Sequence, residues 1–368
     1  MLKRFTTAGF AKIKSWYAKY ERWLIPGSLL AGVIGDVATF RFIDISLALS
    51  LLGFYLISSL GVIAYMHAYD EGVFGGERKP FMYARLFSPL ALQVAFGGLL
   101  SGFLIFYGFS GSLWVSWPFM ALIVFLMVSN DLLKKYYVRS LVHTSVTFFL
   151  FFSYLVLLFP YVFRAMGPAL FVAGGAASLV CMFLYLRLLS RIALSIRTQE
   201  KIMRRIVIAI ALLMNGLYFA NIIPPIPLSL RVAGVYYSVQ KDPERGQYRL
   251  VAQAYSLFDR LRFYRPVSSD GAVYVFSAVF APTDLSTTIA HRWQYYDTDK
   301  KTWTDSAVLA FPLSGGRREG YRVYSSRAVF PGLWRVDIET SRGQMLGRVR
   351  FRVTQSGGPP PPLRVEWK

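Results

Sequence analysis

Ile223-Pro224-Pro225-Ile226-Pro227 divides this 368-residue chain into two chemistries. Each proline lacks an amide donor and clashes with the carbonyl one turn earlier, so no helix continues through the run. On the N-terminal side the sequence proceeds in long apolar stretches. On the C-terminal side short segments alternate apolar and polar residues with period two, the signature of strands with one buried face. The reading is therefore membrane α plus β: a transmembrane bundle ending at about Pro225, followed by an all-β domain.

Working back from the prolines, apolar segments cover approximately 206–223, 168–186, 141–163, 112–129, 86–109, 45–66 and 24–40. Most approach the roughly 20 residues that a hydrocarbon core of about 30 Å demands, which predicts a seven-helix transmembrane bundle. Basic residues occupy alternate gaps. Lys3, Arg4, Lys12, Lys14, Lys19 and Arg22 precede the first segment; Arg78, Lys79 and Arg85 lie between the second and third. Lys134, Lys135 and Arg139 lie between the fourth and fifth, and Arg187, Arg191, Arg197, Lys201, Arg204 and Arg205 between the sixth and seventh. The other gaps hold only Arg41 and Arg164, two basic residues against 18. Short loops rich in Lys and Arg stay cytoplasmic, so the N-terminus is expected on the cytoplasmic side of a membrane and everything beyond Pro225 on the far side.

Phe10, Ile13, Tyr17 and Tyr20 recur at helical spacing among lysines, with Trp16 and Trp23 beside them, so residues 1–23 read as a basic amphipathic arm on the inner leaflet. Gly27, Ala31 and Gly35, then Gly98 and Gly102, then Gly174 and Ser178 are four residues apart, a spacing that lets helix backbones approach. The net charge of +21 would suit a nucleic-acid ligand, but 18 of the 20 basic residues before residue 226 fall in alternate loops, which assigns them to topology and to the lipid bilayer. Residues 226–368 carry a milder excess of 21 basic against 12 acidic residues, so no nucleic-acid partner is expected. Cys181 is the sole cysteine and the three histidines, His67, His143 and His291, are far apart. The expectation is accordingly no metal, no cofactor and no disulfide in the outer domain.

Candidate strands are 233–239, 247–256, 272–280, 287–296, 305–312, 320–325, 332–339 and 346–354, separated by turn-rich pieces such as Ser268-Ser269-Asp270-Gly271. Many short strands with this punctuation predict an antiparallel, immunoglobulin-like β-sandwich over 226–356. Gly357-Gly358 and the prolines 359–362 predict an extended tail over 357–368. In the last hairpin, a two-residue turn at Arg342-Gly343 would set Trp334 opposite Phe351 and Val336 opposite Val349 on the core face. It would set Asp337 opposite Arg348 and Arg335 opposite Arg350 on the other, leaving Arg348, Arg350 and Arg352 as an outward basic row. Such a row is either a solvated face or a binding surface for an anionic ligand or headgroup.

Asp36 falls about 18 Å into the bilayer, counted at about 1.5 Å per residue from Leu24. An acid at that depth is costly and normally faces a partner or a cavity. Arg41 and Asp44 follow at the outer boundary, and Gln93 and Asn215 are candidate hydrogen-bonding partners for it. His67, Asp70, Glu71 and Glu77 read as a mixed-charge inner loop. On the strand at 287–296, Ile289, His291, Trp293 and Tyr295 share a face, either core or an aromatic platform. No nucleophile elbow, zinc-protease helix or phosphate-binding glycine loop is present.

His291-Arg292-Trp293, then Arg322-Val323-Tyr324-Ser325-Ser326, then Gly332-Leu333-Trp334-Arg335-Val336-Asp337 and the final hairpin resemble the bacterial domain of unknown function 2914 over about 285–354. The membrane segments resemble, more weakly, longer members in which this domain follows a multi-helix region. The resemblance implies an envelope protein with a C-terminal β domain and transfers no activity; it makes His291, Arg292, Trp293, Arg322, Ser325, Trp334 and Arg335 the outer-domain candidates. Three functional expectations follow. The chain presents the β domain to an envelope glycan, lipid headgroup or protein partner; or it is a transporter or intramembrane enzyme using Asp36; or it is a scaffold subunit of a membrane complex.

Overall fold

The computed structural model describes residues 45–73, 79–110, 113–132, 140–225, 228–244, 246–254, 262–269, 271–281, 286–314, 320–355 and 362–368. Six helices lie among them: α1 (Ile45–Asp70), α2 (Lys79–Ser110), α3 (Leu113–Leu132), α4 (Ser140–Phe163), α5 (Pro168–Ile192) and α6 (Leu194–Phe219). The seven-helix expectation is therefore corrected to six helices among the described residues. The expected first segment, 24–40, and the arm at 1–23 lie outside them. Five of the six are long and apolar enough to cross a membrane, while the apolar part of α3, Val115–Ser129, is shorter.

The last helix begins a dozen residues earlier than its apolar run suggests. Ile196, Met203, Val207, Ala211, Met214 and Tyr218 are buried at spacings of three, four and seven, so one helical stripe runs through the basic segment. Arg204 pairs with Glu200 one turn away on the polar side. The helix stops where Asn221 takes a left-handed conformation, φ 57°, and the amides of Ile222 and Ile223 turn back to the Leu217 carbonyl. Asparagine tolerates that conformation and the prolines forbid resumption.

The chain forms two compact units. The first takes the described residues up to Ile105 with Leu122–Tyr154 and Ser178–Ala211; the second takes Phe106–Ala121, Leu155–Ala177 and Leu212–Lys368. In the first, a Cβ added at Gly98 would lie 2.7 Å from the Tyr55 ring, and the Tyr185 hydroxyl donates to the Leu60 carbonyl at 2.7 Å. Asp70 accepts a two-pronged hydrogen bond from Arg85, at 2.8 and 2.9 Å, and no group of metal-ligating side chains occurs among the described residues. In the second, Gly174 sits against the backbone of Leu155 and Val156, the close approach its small-residue spacing anticipates.

Eleven strands follow among the described residues: β1 (Ser229–Tyr236), β2 (Ser238–Lys241), β3 (Tyr248–Gln253), β4 (Arg265–Ser268), β5 (Ala272–Phe280), β6 (Ser286–Asp297), β7 (Thr302–Ser314), β8 (Tyr321–Ala328), β9 (Gly332–Thr340), β10 (Met345–Thr354) and β11 (Leu363–Trp367). They form three sheets, ordered β1-β5-β8, β4-β10-β9-β6-β7 and β11-β3-β2. The expected two-sheet, all-antiparallel, immunoglobulin-like sandwich is thus corrected: there is a third sheet, and β4 joins β10 in parallel. The physical reason lies in β5. Its Val273, Val275 and Val279 enter a core with Trp293, Trp334, Val336 and Phe351 of the five-stranded sheet. Its Phe276 and Ala278 enter a second core with Val239, Leu250 and Ala252 of the third. A strand buried on both faces has two layers to satisfy. Residues 363–367, expected in the tail, supply part of the third layer by pairing with β3.

The β9–β10 register places Trp334 opposite Phe351, Val336 opposite Val349, Asp337 opposite Arg348 and Arg335 opposite Arg350. The turn differs from the expected two-residue form. The Thr340 amide donates to the Gln344 carbonyl across three intervening residues, with Gly343 at φ +77°, where a side chain would be strained. An extra residue, Leu346, then shifts the pairing between Met345 and Gly347, so that loop and bulge offset each other.

Candidate functional site

The strand β6 sends alternate side chains to opposite faces, which separates two polar sites. On the inner face His291 is fully buried. Its Nε2 lies 2.8 Å from the Ser277 hydroxyl of β5, and its Nδ1 2.8 Å from the Ser325 hydroxyl of β8. The indole Nε1 of Trp293 donates to the same Ser325 oxygen at 2.9 Å, and Phe311 meets the imidazole edge-on. A neutral ring protonated at Nε2 satisfies every partner: Ser277 accepts from it, Ser325 donates to Nδ1, and Trp293 donates to Ser325. Burial lowers the His291 pKa to about 4. With both ring nitrogens engaged and no surface open to a substrate, this cluster is a pin between two sheets.

On the outer face, charges are matched strand by strand. Arg292 donates to Glu339 at 2.8 Å and to Asp305 at 3.2 Å, and those carboxylates raise its pKa. Arg348 donates to Asp337 from Nε and Nη2, a two-pronged bond along one guanidinium edge, the Nη2 bond being 2.7 Å long. Gln294 donates to Asp305 at 2.6 Å and accepts from Arg335 Nε at 2.6 Å. Arg335 lies over the Trp303 ring, 4.3 Å from its centre, and Arg350 over Phe263 at 4.2 Å. Arg335 and Arg350 face each other across β9 and β10, and neither has a carboxylate partner among the described residues. Burial, then the charge of Arg348, pushes both guanidinium pKa values down. Like charges directly opposite one another destabilise a sheet.

The expected candidates are thus divided. His291, Trp293 and Ser325 converge in the pin. Trp334 is buried against Trp293 and donates to the Phe330 carbonyl at 3.0 Å. Arg292 and Arg335 share the outer face, whereas Arg322, on another sheet, donates to the Gly246 carbonyl at 3.0 Å. Gln93 and Asn215 are half-buried in α2 and α6, and Asp36, Arg41 and Asp44 lie outside the described residues. Sequence reasoning missed Ser277, Trp303, Phe263 and Asp305. Ser277 needs the β5–β6 sheet packing to be found, and Asp305 reaches Gln294 only because an extra residue, Ser306, shifts β7 against β6.

Near the end of α6, Arg342 of the β9–β10 loop stacks on Tyr218 at 4.3 Å, and the Gln344 amide reaches the Ile223 carbonyl at 3.5 Å. Cation–π contacts of this kind are worth about 0.5–2 kcal/mol.

Residues 286–353, which run from β6 to β10, match the family "Protein of unknown function (DUF2914)". None of the curated proteins compared with the chain matches it. Among solved structures, the Pseudomonas fluorescens alkylpurine DNA glycosylase AlkC bound to DNA containing an abasic site analog covers 83% of this chain and 97% of its own at 11% identity. Its TM-score of 0.20 supports no shared fold. His291, Trp293 and Ser325 of the pin and the matched charges of the outer face therefore lie in a region similar to the DUF2914 family, whereas Ser277 lies outside it.

Proposed function

We propose that the protein is held in a bacterial inner membrane by its apolar helices and presents the β region outside the cytoplasm as a binding module for an anionic envelope ligand. The observation that carries this reading is the Arg335–Arg350 pair: two half-buried cations set against each other, each over an aromatic ring, on a face where Arg292 and Arg348 have their own carboxylates. A sheet selected only for stability would place an acid at one of these positions. Guanidinium groups held on rings keep their donor edges oriented, which favours oxyanion recognition.

The test uses the full chain in phosphatidylcholine nanodiscs, titrated with phosphate, sulfate and glucuronate. Binding of at least one anion is expected, and Arg335→Gln combined with Arg350→Gln is expected to weaken it by about tenfold or more, since each charge-assisted hydrogen bond is worth about 1.5–3 kcal/mol. The same variant removes a like-charge contact but also two cation–π contacts and the Arg335–Gln294 hydrogen bond, so its folding is checked by denaturation beside the binding measurement. Binding that ignores both arginines, or no binding of any anion, would refute the reading.

A further inference from the structure

The parallel pairing of β4 with β10 starts only at Phe351, opposite Arg265, and runs to Thr354. The stretch of β10 just before it, Arg348–Arg350, instead borders a cavity of about 170 Å³, whose other walls are Ala233, Arg262, Phe263 and Arg265. Four arginines thus reach one space from two strands and the segment leading into β4. Arg348 is matched by Asp337, while Arg350 has no carboxylate partner among the described residues and is fixed over Phe263, itself a wall of the cavity.

We infer that this cavity is a phosphate-group site, with Arg350 as its principal ligand. The inference rests on the anion-binding reading above and deepens it by naming the chemical class. The same face displays what a carboxylate requires: Asp337 is planar, and the fork of one arginine, Arg348, satisfies it. A phosphate group carries up to two charges and projects oxygens in several directions, so it makes use of donors converging from different strands. The volume accommodates the phosphate with part of an ester substituent. Outside the cytoplasm such groups occur on lipid headgroups and on soluble phosphates, and the chemistry recognised is common to both.

The full chain in phosphatidylcholine nanodiscs is titrated calorimetrically with inorganic phosphate, glycerol 3-phosphate and glucuronate, and separately floated with vesicles containing phosphatidylglycerol. Saturable binding of a soluble phosphate is the expected result, weakened about tenfold or more by Arg350→Gln and unchanged by Arg352→Gln, an exposed arginine further along β10 that does not line the cavity. Vesicle binding with the same dependence on Arg350, in the absence of soluble-phosphate binding, supports the site equally and assigns it to a headgroup. Glucuronate binding with no response to either phosphate source overturns the phosphate assignment while leaving the anion-binding reading intact. Silence from every anion overturns both. Phosphate binding that survives Arg350→Gln overturns the placement of the site.

Discussion

Replacing His291 with alanine is expected to destabilise the β region by about 3–5 kcal/mol, from the lost packing of a buried ring and from two buried hydroxyls that each lose their imidazole hydrogen bond. Ser277 and Ser325 are both buried, so no bulk water replaces the imidazole nitrogens. The magnitude is a large fraction of the stability of an ordinary domain. Chemical denaturation of the full chain in detergent, followed by tryptophan fluorescence, reads it directly because Trp293 shares the Ser325 oxygen. His291→Phe combined with Ser277→Ala should recover more than half of the loss: the ring volume returns, one orphan is removed, and Ser325 still accepts from Trp293. If His291→Ala proves neutral, the pin does not hold the sheets together. If the double variant is as unstable as alanine, neither the lost ring volume nor the orphaned hydroxyl explains the loss.

Acid should weaken the same region. The His291 pKa is about 4 in the folded protein against 6.5 for a free side chain. Between those values the unfolded chain binds a proton that the folded chain excludes, so unfolding is favoured as pH falls. The stability owed to the neutral ring is complete above about pH 6.5, declines below it, and is lost by about pH 4, a total on the order of 3 kcal/mol. Carboxylates such as Asp337 contribute their own slopes below this window. Comparing the parent with the His291→Phe, Ser277→Ala variant from pH 7 to 4 isolates the histidine: the gap between the two curves should narrow or reverse in the variant's favour as the medium becomes acidic. A constant gap would mean that His291 takes up its proton in the folded protein as readily as in the unfolded chain.

Both effects arise from residues whose types were visible in sequence but whose company was not. The β9–β10 register was legible because Trp334, Val336 and Ile338 alternate with Arg335 and Asp337, and a slip by one residue would turn every apolar side chain outward. That pattern survived a mistaken turn, since the three-residue loop and the bulge at Leu346 cancel. The third sheet was illegible for the opposite reason: β11 reaches β3 across more than a hundred residues and a proline-rich stretch, and nothing local announces such a pairing. The four-residue β4, with Pro266 inside it, falls below the length at which alternation is readable. In the helical part, the basic residues between 197 and 205 concealed the start of α6, because hydropathy follows the mean character of a segment whereas the helix follows one buried stripe. Among the site residues, the outward arginines could be read from alternation, but their aromatic supports, Trp303 and Phe263, come from a bulged strand and from the segment leading into β4.

The proposal depends above all on which side of the membrane the β region occupies. Lys368 replaced by cysteine in a Cys181→Ser background supplies a single thiol beside β11, to be challenged in intact cells with a membrane-impermeant maleimide. Labelling in intact cells to the same extent as in lysed ones is the expected result. Labelling confined to lysed cells would put the arginine face in the cytosol and contradict an envelope ligand.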